Sequence, residues 1–217
     1  MGSHASPASQ PLSRRSSRPI QSVIDDDSFT FLFVCTGNIC RSPLAERLLT
    51  SKLTTLEVAD RQTIRVESAG LQTINGVAMD ETAASEGLRL GAQIAGAESR
   101  VLDRTISMGA NVLLTMTREQ QVDLVKRYPA LLHRTFTVRE FARILEEVPE
   151  VVSAGESVAR RGVVTVGRAS AVRSSLAANA SDDDIPDPYR RGDAVHRQVA
   201  DMIEIAVSTI SRRMFAI

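Results

Sequence analysis

The stretch from Phe29 to Pro43 constrains this chain more than any other. The aromatic and branched run Phe29-Thr30-Phe31-Leu32-Phe33-Val34 leads straight into Cys35-Thr36-Gly37-Asn38-Ile39-Cys40-Arg41-Ser42-Pro43. The run reads as a short strand buried on both faces. Ser42 then reads as a helix cap and Pro43 as the first helical position. Glu46 follows in the first turn, and Leu44, Leu48 and Leu49 share one face. A strand that passes through a tight loop into a helix is the opening unit of a parallel sheet.

The rest of the chain repeats that alternation. A second strand is expected at Thr63 to Glu67, before Ser68-Ala69-Gly70, and a helix from Met79 to Glu86 that stops at Gly87. Asn111 to Met116 reads as a third strand. The helix after it, Arg118 to Arg127, ends before Tyr128-Pro129. Thr135 to Thr137 is a short fourth strand and Val138 to Glu147 a helix. Residues 148–181 are rich in Ala, Ser, Gly and Arg, with a weak helical pattern at Arg168 to Ala178. They have too few large apolar residues for a core of their own and read as an extended, partly helical excursion. The acidic turn Asp182-Asp183-Asp184-Ile185-Pro186-Asp187-Pro188-Tyr189 follows. A long amphipathic helix then runs from Asp193 to Arg213 on a stripe of Val195, Val199, Met202, Ile203, Ala206, Val207 and Ile210. Residues 1–28 have no apolar periodicity. They read as a disordered tail beginning with what looks like a tag remnant, Met1-Gly2-Ser3-His4, and 29–217 as the folded domain.

Composition removes several classes of function. The 26 basic and 26 acidic residues cancel, which leaves no general attraction for nucleic acid or an anionic membrane. No apolar run is long enough to span a bilayer, and the tail lacks a secretory h-region, so a cytoplasmic protein is expected. The two cysteines, Cys35 and Cys40, are too close to staple a fold and lack partners at metal spacing, since His133 and His196 stand alone. They are therefore buried inert thiols or part of a reactive site.

The loop itself favours the second choice. In an open parallel sheet, ligands bind at the carboxyl ends of the strands, where this loop falls. Gly37 permits positive φ and Asn38 tolerates it, so successive N–H groups can turn inward as an anion nest. The helix N-terminus adds partial positive charge. A cysteine at the mouth of such a nest is favoured as the thiolate, the nucleophilic form. Arg41 can bring a planar fork to two oxygens of a tetrahedral oxyanion. Because 24 of the 26 basic residues are Arg, the spacing of Cys35 and Arg41 alone would mean little. The preceding strand, the Gly-Asn turn and the Ser-Pro helix start carry the expectation of a cysteine-dependent phosphatase.

From Val34 to Glu46 the sequence closely resembles the signature of the low-molecular-weight protein tyrosine phosphatases, and Asp187-Pro188-Tyr189 resembles the acid loop of that family. The resemblance extends over most of residues 29–213. It implies a three-layer αβα sandwich around a four-stranded parallel sheet, the phosphatase I-like α/β fold, with no metal and no organic cofactor. It also implies Cys35 as nucleophile, Arg41 as oxyanion clamp and Asp187 as general acid, ahead of Asp182, Asp183 and Asp184. Thr36, Gly37, Asn38, Ile39, Cys40, Arg41 and Ser42 would bind the phosphate. Ser42 would donate to the Cys35 thiolate, Cys40 would serve as redox partner, and Ile39 and Tyr189 would wall the substrate cleft. Asn38 would be held by hydrogen bonds, with Ser68 a candidate partner. The stretch Ala95-Gly96-Ala97-Glu98-Ser99-Arg100 lacks the His that supports this Asn in many eukaryotic relatives.

The resemblance also frames the choice of substrate. Relatives acting on phosphoarginine carry Thr where this chain has Ile39, and arsenate reductases carry Ser there and need cysteines beyond the two present. A phosphotyrosine protein is thus the expected partner, such as a bacterial tyrosine kinase or its substrates. An arsenate reductase of the same fold is the enzyme alternative, and a non-catalytic phosphate- or phosphotyrosine-binding module the alternative from another class.

Overall fold

The computed structural model describes residues 28–151, 156–176 and 183–217. β1 (Phe29–Cys35) enters α1 (Arg41–Leu53), and a short α2 (Val58–Gln62) precedes β2 (Ile64–Gly70). Then come α3 (Glu81–Arg89), α4 (Arg104–Gly109), β3 (Val112–Thr115), α5 (Arg118–Arg127) and a 3₁₀ turn at Pro129–Arg134. β4 (Thr135–Thr137) leads directly into α6 (Val138–Glu147), followed by α7 (Val158–Val172) and α8 (Asp193–Phe215). Among the described residues the four strands form one parallel sheet in the order β2-β1-β3-β4.

The alternation of side chains along β1 explains the layers. Phe29, Phe31 and Phe33 point to one face, where they join Leu44, Leu48 and Leu49 of α1, Phe141 and Ile144 of α6, and Val199, Ile203 and Ile210 of α8. Leu32 and Val34 point to the other face, against Leu124 of α5, Leu131, Leu102 and Ala110. All seven residues of β1 are buried, as expected of an interior parallel strand. This is the three-layer α/β sandwich that the resemblance implied, with the carboxyl end of β1 opening into the Cys35 loop.

Several boundaries differ from expectation for identifiable reasons. α1 starts at Arg41 with Cys40 in the cap position, so Ser42 lies inside the first turn. Its hydroxyl is engaged at Cys35 and Asn38 instead of capping backbone. β2 runs on through Ser68, Ala69 and Gly70 because Gly70 pairs with Cys35. α3 is capped by Asp80 and continues through Gly87. There a Cβ would come within 3.1 Å of Leu44 Cδ1, so Gly87 permits close helix packing and does not end the helix.

The helix expected at Arg168 to Ala178 is α7, which begins at Val158 under a Ser157 cap and ends at Val172. Its buried stripe is made of small residues, Val158, Ala159, Gly162, Thr165, Val166 and Ala169, which a search for large apolar positions passes over. Gly162 sits against the Phe29 ring, whose nearest atoms would lie 2.7 to 3.0 Å from an added Cβ. α7 therefore packs at the amino end of β1, at the opposite end of that strand from Cys35. Residues 152–155 and 177–182, like residues 1–27 of the expected tail, fall outside the described residues.

Gly162→Ala should lower stability by about 1 to 3 kcal/mol through overpacking on Phe29, with kcat unchanged. A denaturant melt alongside a turnover assay checks both halves of this expectation.

Candidate active site

The loop between β1 and α1 is held from outside by its carbonyls. Cys35 O accepts from Leu71 N–H, Thr36 O from Gln72 N–H, Ile39 O from Asp80 N–H and Cys40 O from Leu44 N–H. The Cys40–Leu44 bond is the first turn of α1, and the other three tie the loop to the segments after β2. Asn38 supplies the reversal with φ 52°. Gly37 does not take up positive φ as expected. An added Cβ there would meet only Ile39 Cγ1, at 3.6 Å, and Gly37 lines the cavity.

Asn38 is the best-anchored residue of the loop. Its Oδ1 accepts from Arg100 N–H at 2.7 Å, and its Nδ2 donates to Ser42 Oγ at 2.9 Å and Ser68 Oγ at 2.8 Å. Ser68 is thus a partner, as the resemblance implied, and a backbone amide of the Arg100 segment contributes where no His is present. Cys35 Sγ accepts from Asn38 N–H at 3.2 Å and lies 2.9 Å from Ser42 Oγ. Gln120 Nε2 donates to Thr36 Oγ1 at 3.1 Å, tying α5 to the loop.

Arg41 is buried beneath the cavity. Nη1 donates to Ile185 O at 3.1 Å, Nη2 pairs with Asp187 Oδ2 at 3.0 Å, and Nε has no hydrogen-bond partner. A buried guanidinium N–H without a partner is costly, and here it belongs to a fork suited to a tetrahedral oxyanion.

The acidic turn divides its carboxylates by task. Asp183 is buried and bound by Arg143, with Nη2 to Oδ2 at 2.9 Å and Nε to Oδ1 at 3.3 Å. Asp184 Oδ1 accepts from Arg118 N–H at 2.7 Å, and Ile185 N–H donates to Met116 O at 2.8 Å. These bonds root the turn on α5, α6 and the end of β3. Asp187, with 55% of its side chain exposed, reaches the cavity, and its Oδ1 accepts from Tyr189 N–H at 3.3 Å. Asp182 falls outside the described residues.

A cavity of about 590 Å³ joins these parts. It is lined by the loop from Cys35 to Arg41, by Gln72, Thr73, Ile74 and Val77, and by Asp187 and Tyr189. Ile74 and Val77 were not anticipated. They are exposed apolar residues on either side of Asn75-Gly76, in the segment that leaves β2 beside the carboxyl end of β1. The rule that flanking loops at that edge build the ligand site could have found them. Cys40 is a buried free thiol pushed up to about 12, first by burial, then by Asp80, Cys35 and Asp187, with Arg41 opposing. Among the described residues no group of His, Cys, Asp and Glu is arranged to hold a metal ion, and no helix is long and apolar enough to cross a membrane.

A strand-end thiol that accepts a loop amide, a buried arginine fork and an adjacent carboxylate thus meet at one cavity on a parallel α/β scaffold. A family model described as low molecular weight phosphotyrosine protein phosphatase matches residues 30–157. The low molecular weight protein-tyrosine-phosphatase Etp of Escherichia coli K12 is 25% identical over 185 residues, covering 85% of this chain and 94% of Etp. A protein-arginine-phosphatase of Geobacillus stearothermophilus is 32% identical over 113 residues, covering 52% of this chain and 71% of the relative. In structure, the YwlE arginine phosphatase from Geobacillus stearothermophilus superposes with a TM-score of 0.61 at 24% identity, covering 87% of this chain and 94% of the other. The chain belongs to the low molecular weight phosphotyrosine protein phosphatase family, and it is a phosphatase.

Gly70 lets β2 lie against the loop, since an added Cβ would stand 2.9 Å from Thr36 O and 3.1 Å from Asn38 Cβ. Gly70→Ala must push the loop aside by a few tenths of an ångström and should lower kcat by about tenfold. Steady-state kinetics on p-nitrophenyl phosphate at a temperature well below the variant's melt measures this.

Proposed function

We propose that this phosphatase hydrolyses phosphotyrosine in proteins, through a cysteinyl-phosphate on Cys35. The observation that carries the reading is the buried Arg41 fork with its unpartnered Nε beside the Cys35 nest. Cys35 Sγ attacks phosphorus in line, forming the S–P bond as the P–O bond to the phenol breaks. The loop amides of Thr36 through Ser42 and the Arg41 guanidinium hold the equatorial oxygens. An arriving oxyanion takes over the Arg41 face now paired with Asp187, and the released carboxylate takes up a proton from solvent, which it then delivers to the leaving phenolate. Asp187 then accepts a proton from the water that attacks the S–P bond. The Ser42 hydroxyl, 2.9 Å from Cys35 Sγ, stabilises the thiolate as it departs and phosphate is released.

Ile39, Ile74, Val77 and Tyr189 support an aromatic substrate, because they offer apolar walls at the mouth of the cavity. Ile39 brings no hydroxyl to a guanidinium, so a phosphotyrosine peptide should be turned over far faster than a phosphoarginine peptide. The physiological partner is then a phosphotyrosine protein such as a bacterial tyrosine kinase or its substrate. Two free thiols at the site suit a reducing compartment, the cytoplasm.

Cys35→Ser should abolish release of p-nitrophenol, and equal rates in the two proteins would sink the nucleophile assignment. Asp187→Ala should slow phenyl phosphate by about a hundredfold or more and p-nitrophenyl phosphate, a better leaving group, by less. If Asp184→Ala shows that pattern instead, the acid is Asp184.

Cys40 is proposed as the resolving thiol for an oxidised nucleophile. Peroxide converts Cys35 to the sulfenic acid, and attack by Cys40 sulfur forms the disulfide with loss of water. Because the attacking form is the thiolate and the thiol is pushed up to about 12, disulfide formation in peroxide-treated enzyme should quicken about tenfold per pH unit from 6 to 9. A flat profile, read by mass spectrometry of the linked peptide, would remove Cys40 from this role.

A further inference from the structure

The hydrogens in the side-chain bonds of Asn38 can be assigned from the donors that have no alternative. The Arg100 N–H can only donate, so it fixes Oδ1 of Asn38 as the acceptor and leaves both Nδ2 hydrogens for Ser42 and Ser68. Ser68 Oγ accepts one of them and retains its own hydrogen. That hydrogen goes to Glu46 Oε2 on α1, at 2.5 Å. Ser42 Oγ accepts the other, and when Cys35 is the thiolate, which can only accept, the hydrogen of Ser42 goes to Cys35 Sγ. The chain runs from a carboxylate, which only accepts, through Ser68 and Asn38 to the sulfur.

Glu46 is half-buried, with 20% of its side chain exposed, so its carboxylate has lost much of its hydration and gains from a hydrogen bond. The charged groups facing it are Arg47 of its own helix, with Nε 3.7 Å from Oε1, and Arg100 and Glu67. Arg100 is itself engaged with Glu67 at 2.8 Å. The short bond of Glu46 is therefore the one to Ser68. Burial pushes the Glu46 carboxyl up from the ordinary carboxylate range, and the Ser68 bond acts against it.

We propose that Glu46 is a positioning residue of this phosphatase, holding Ser68 so that Asn38 keeps its left-handed conformation and Ser42 keeps its hydrogen directed at Cys35. The proposal rests on the reading of Cys35 as the nucleophile. Without Glu46 the hydroxyl of Ser68, a residue only 4% exposed, loses its acceptor and turns toward another. Asn38, at φ 52°, then loses one of the three side-chain bonds that offset its backbone conformation.

The readout is alkylation of Cys35 by iodoacetate at pH 6.5, located by peptide mapping and so independent of any substrate. Glu46→Ala should slow it by about threefold to tenfold, and the effect should largely vanish in a Ser68→Ala background, since coupled residues are not additive. Glu46→Gln, whose amide oxygen can accept the same hydrogen, should retain most of the rate. In turnover, Glu46→Ala should lower kcat with KM little changed. An unchanged alkylation rate in Glu46→Ala, or an undiminished effect in the Ser68→Ala background, would overturn the proposal. If Glu46→Ala melts at the assay temperature, Glu46→Asp, one methylene short of Ser68, carries the same expectation and the same refutation. Equal p-nitrophenol release by wild type and Cys35→Ser would refute the nucleophile assignment and leave this alkylation result readable by itself.

Discussion

The cleft depends on a single backbone reversal, the left-handed Asn38, and on the bonds that make it tolerable. A non-glycine residue at positive φ costs free energy that its surroundings must offset. Here the offset comes from three side-chain hydrogen bonds to Arg100, Ser42 and Ser68, on three different segments. The reversal brings the Asn38 N–H onto Cys35 Sγ. β2 can come close enough to supply Ser68 only because Gly70, paired with Cys35, has no side chain. The sheet, the loop and Cys35 are thus one mechanical unit.

The second unit is the acidic turn, which arrives from far along the chain and must be set against the first with similar care. It is rooted by Asp183 on Arg143, by Asp184 on the amide of Arg118 and by the Ile185 backbone on Met116. Those anchors leave Asp187 to extend over Arg41. Neighbouring carboxylates of one turn therefore have different work, two structural and one at the cavity. Arg41 closes the circuit, because it touches both the Ile185 carbonyl and the Asp187 carboxylate.

Much of this was legible in the residues. β1, β3, α6 and α8 stand close to where periodicity puts them, because each carries large apolar side chains at the period of its own structure, while α5, with only Leu124 as a buried apolar residue, was bounded by the Tyr128-Pro129 turn signal. The loop was legible because Cys, Gly-Asn and Ser-Pro have strong local preferences. What was not legible depended on contacts between distant segments. α7 is stabilised by small residues fitted to Phe29, and its pattern has meaning only once that ring is in place. Ser42 resembles a helix cap until Cys35 and Asn38 claim its hydroxyl. Gly37 looks like the left-handed residue, yet Asn38 takes that place because its side chain can be bonded there and glycine has none. Ile74 and Val77 become cleft walls only through the pairing of β2 with β1.

The central claim is that Cys35 carries the phosphoryl group during turnover. Rapid acid quench of the enzyme during hydrolysis of p-nitrophenyl phosphate, followed by peptide mapping, tests it directly. The account predicts a phosphorylated peptide containing Cys35, absent in Cys35→Ser. Phosphate found on another residue, or turnover at full rate with no phosphorylated peptide at the earliest quench times, would contradict it.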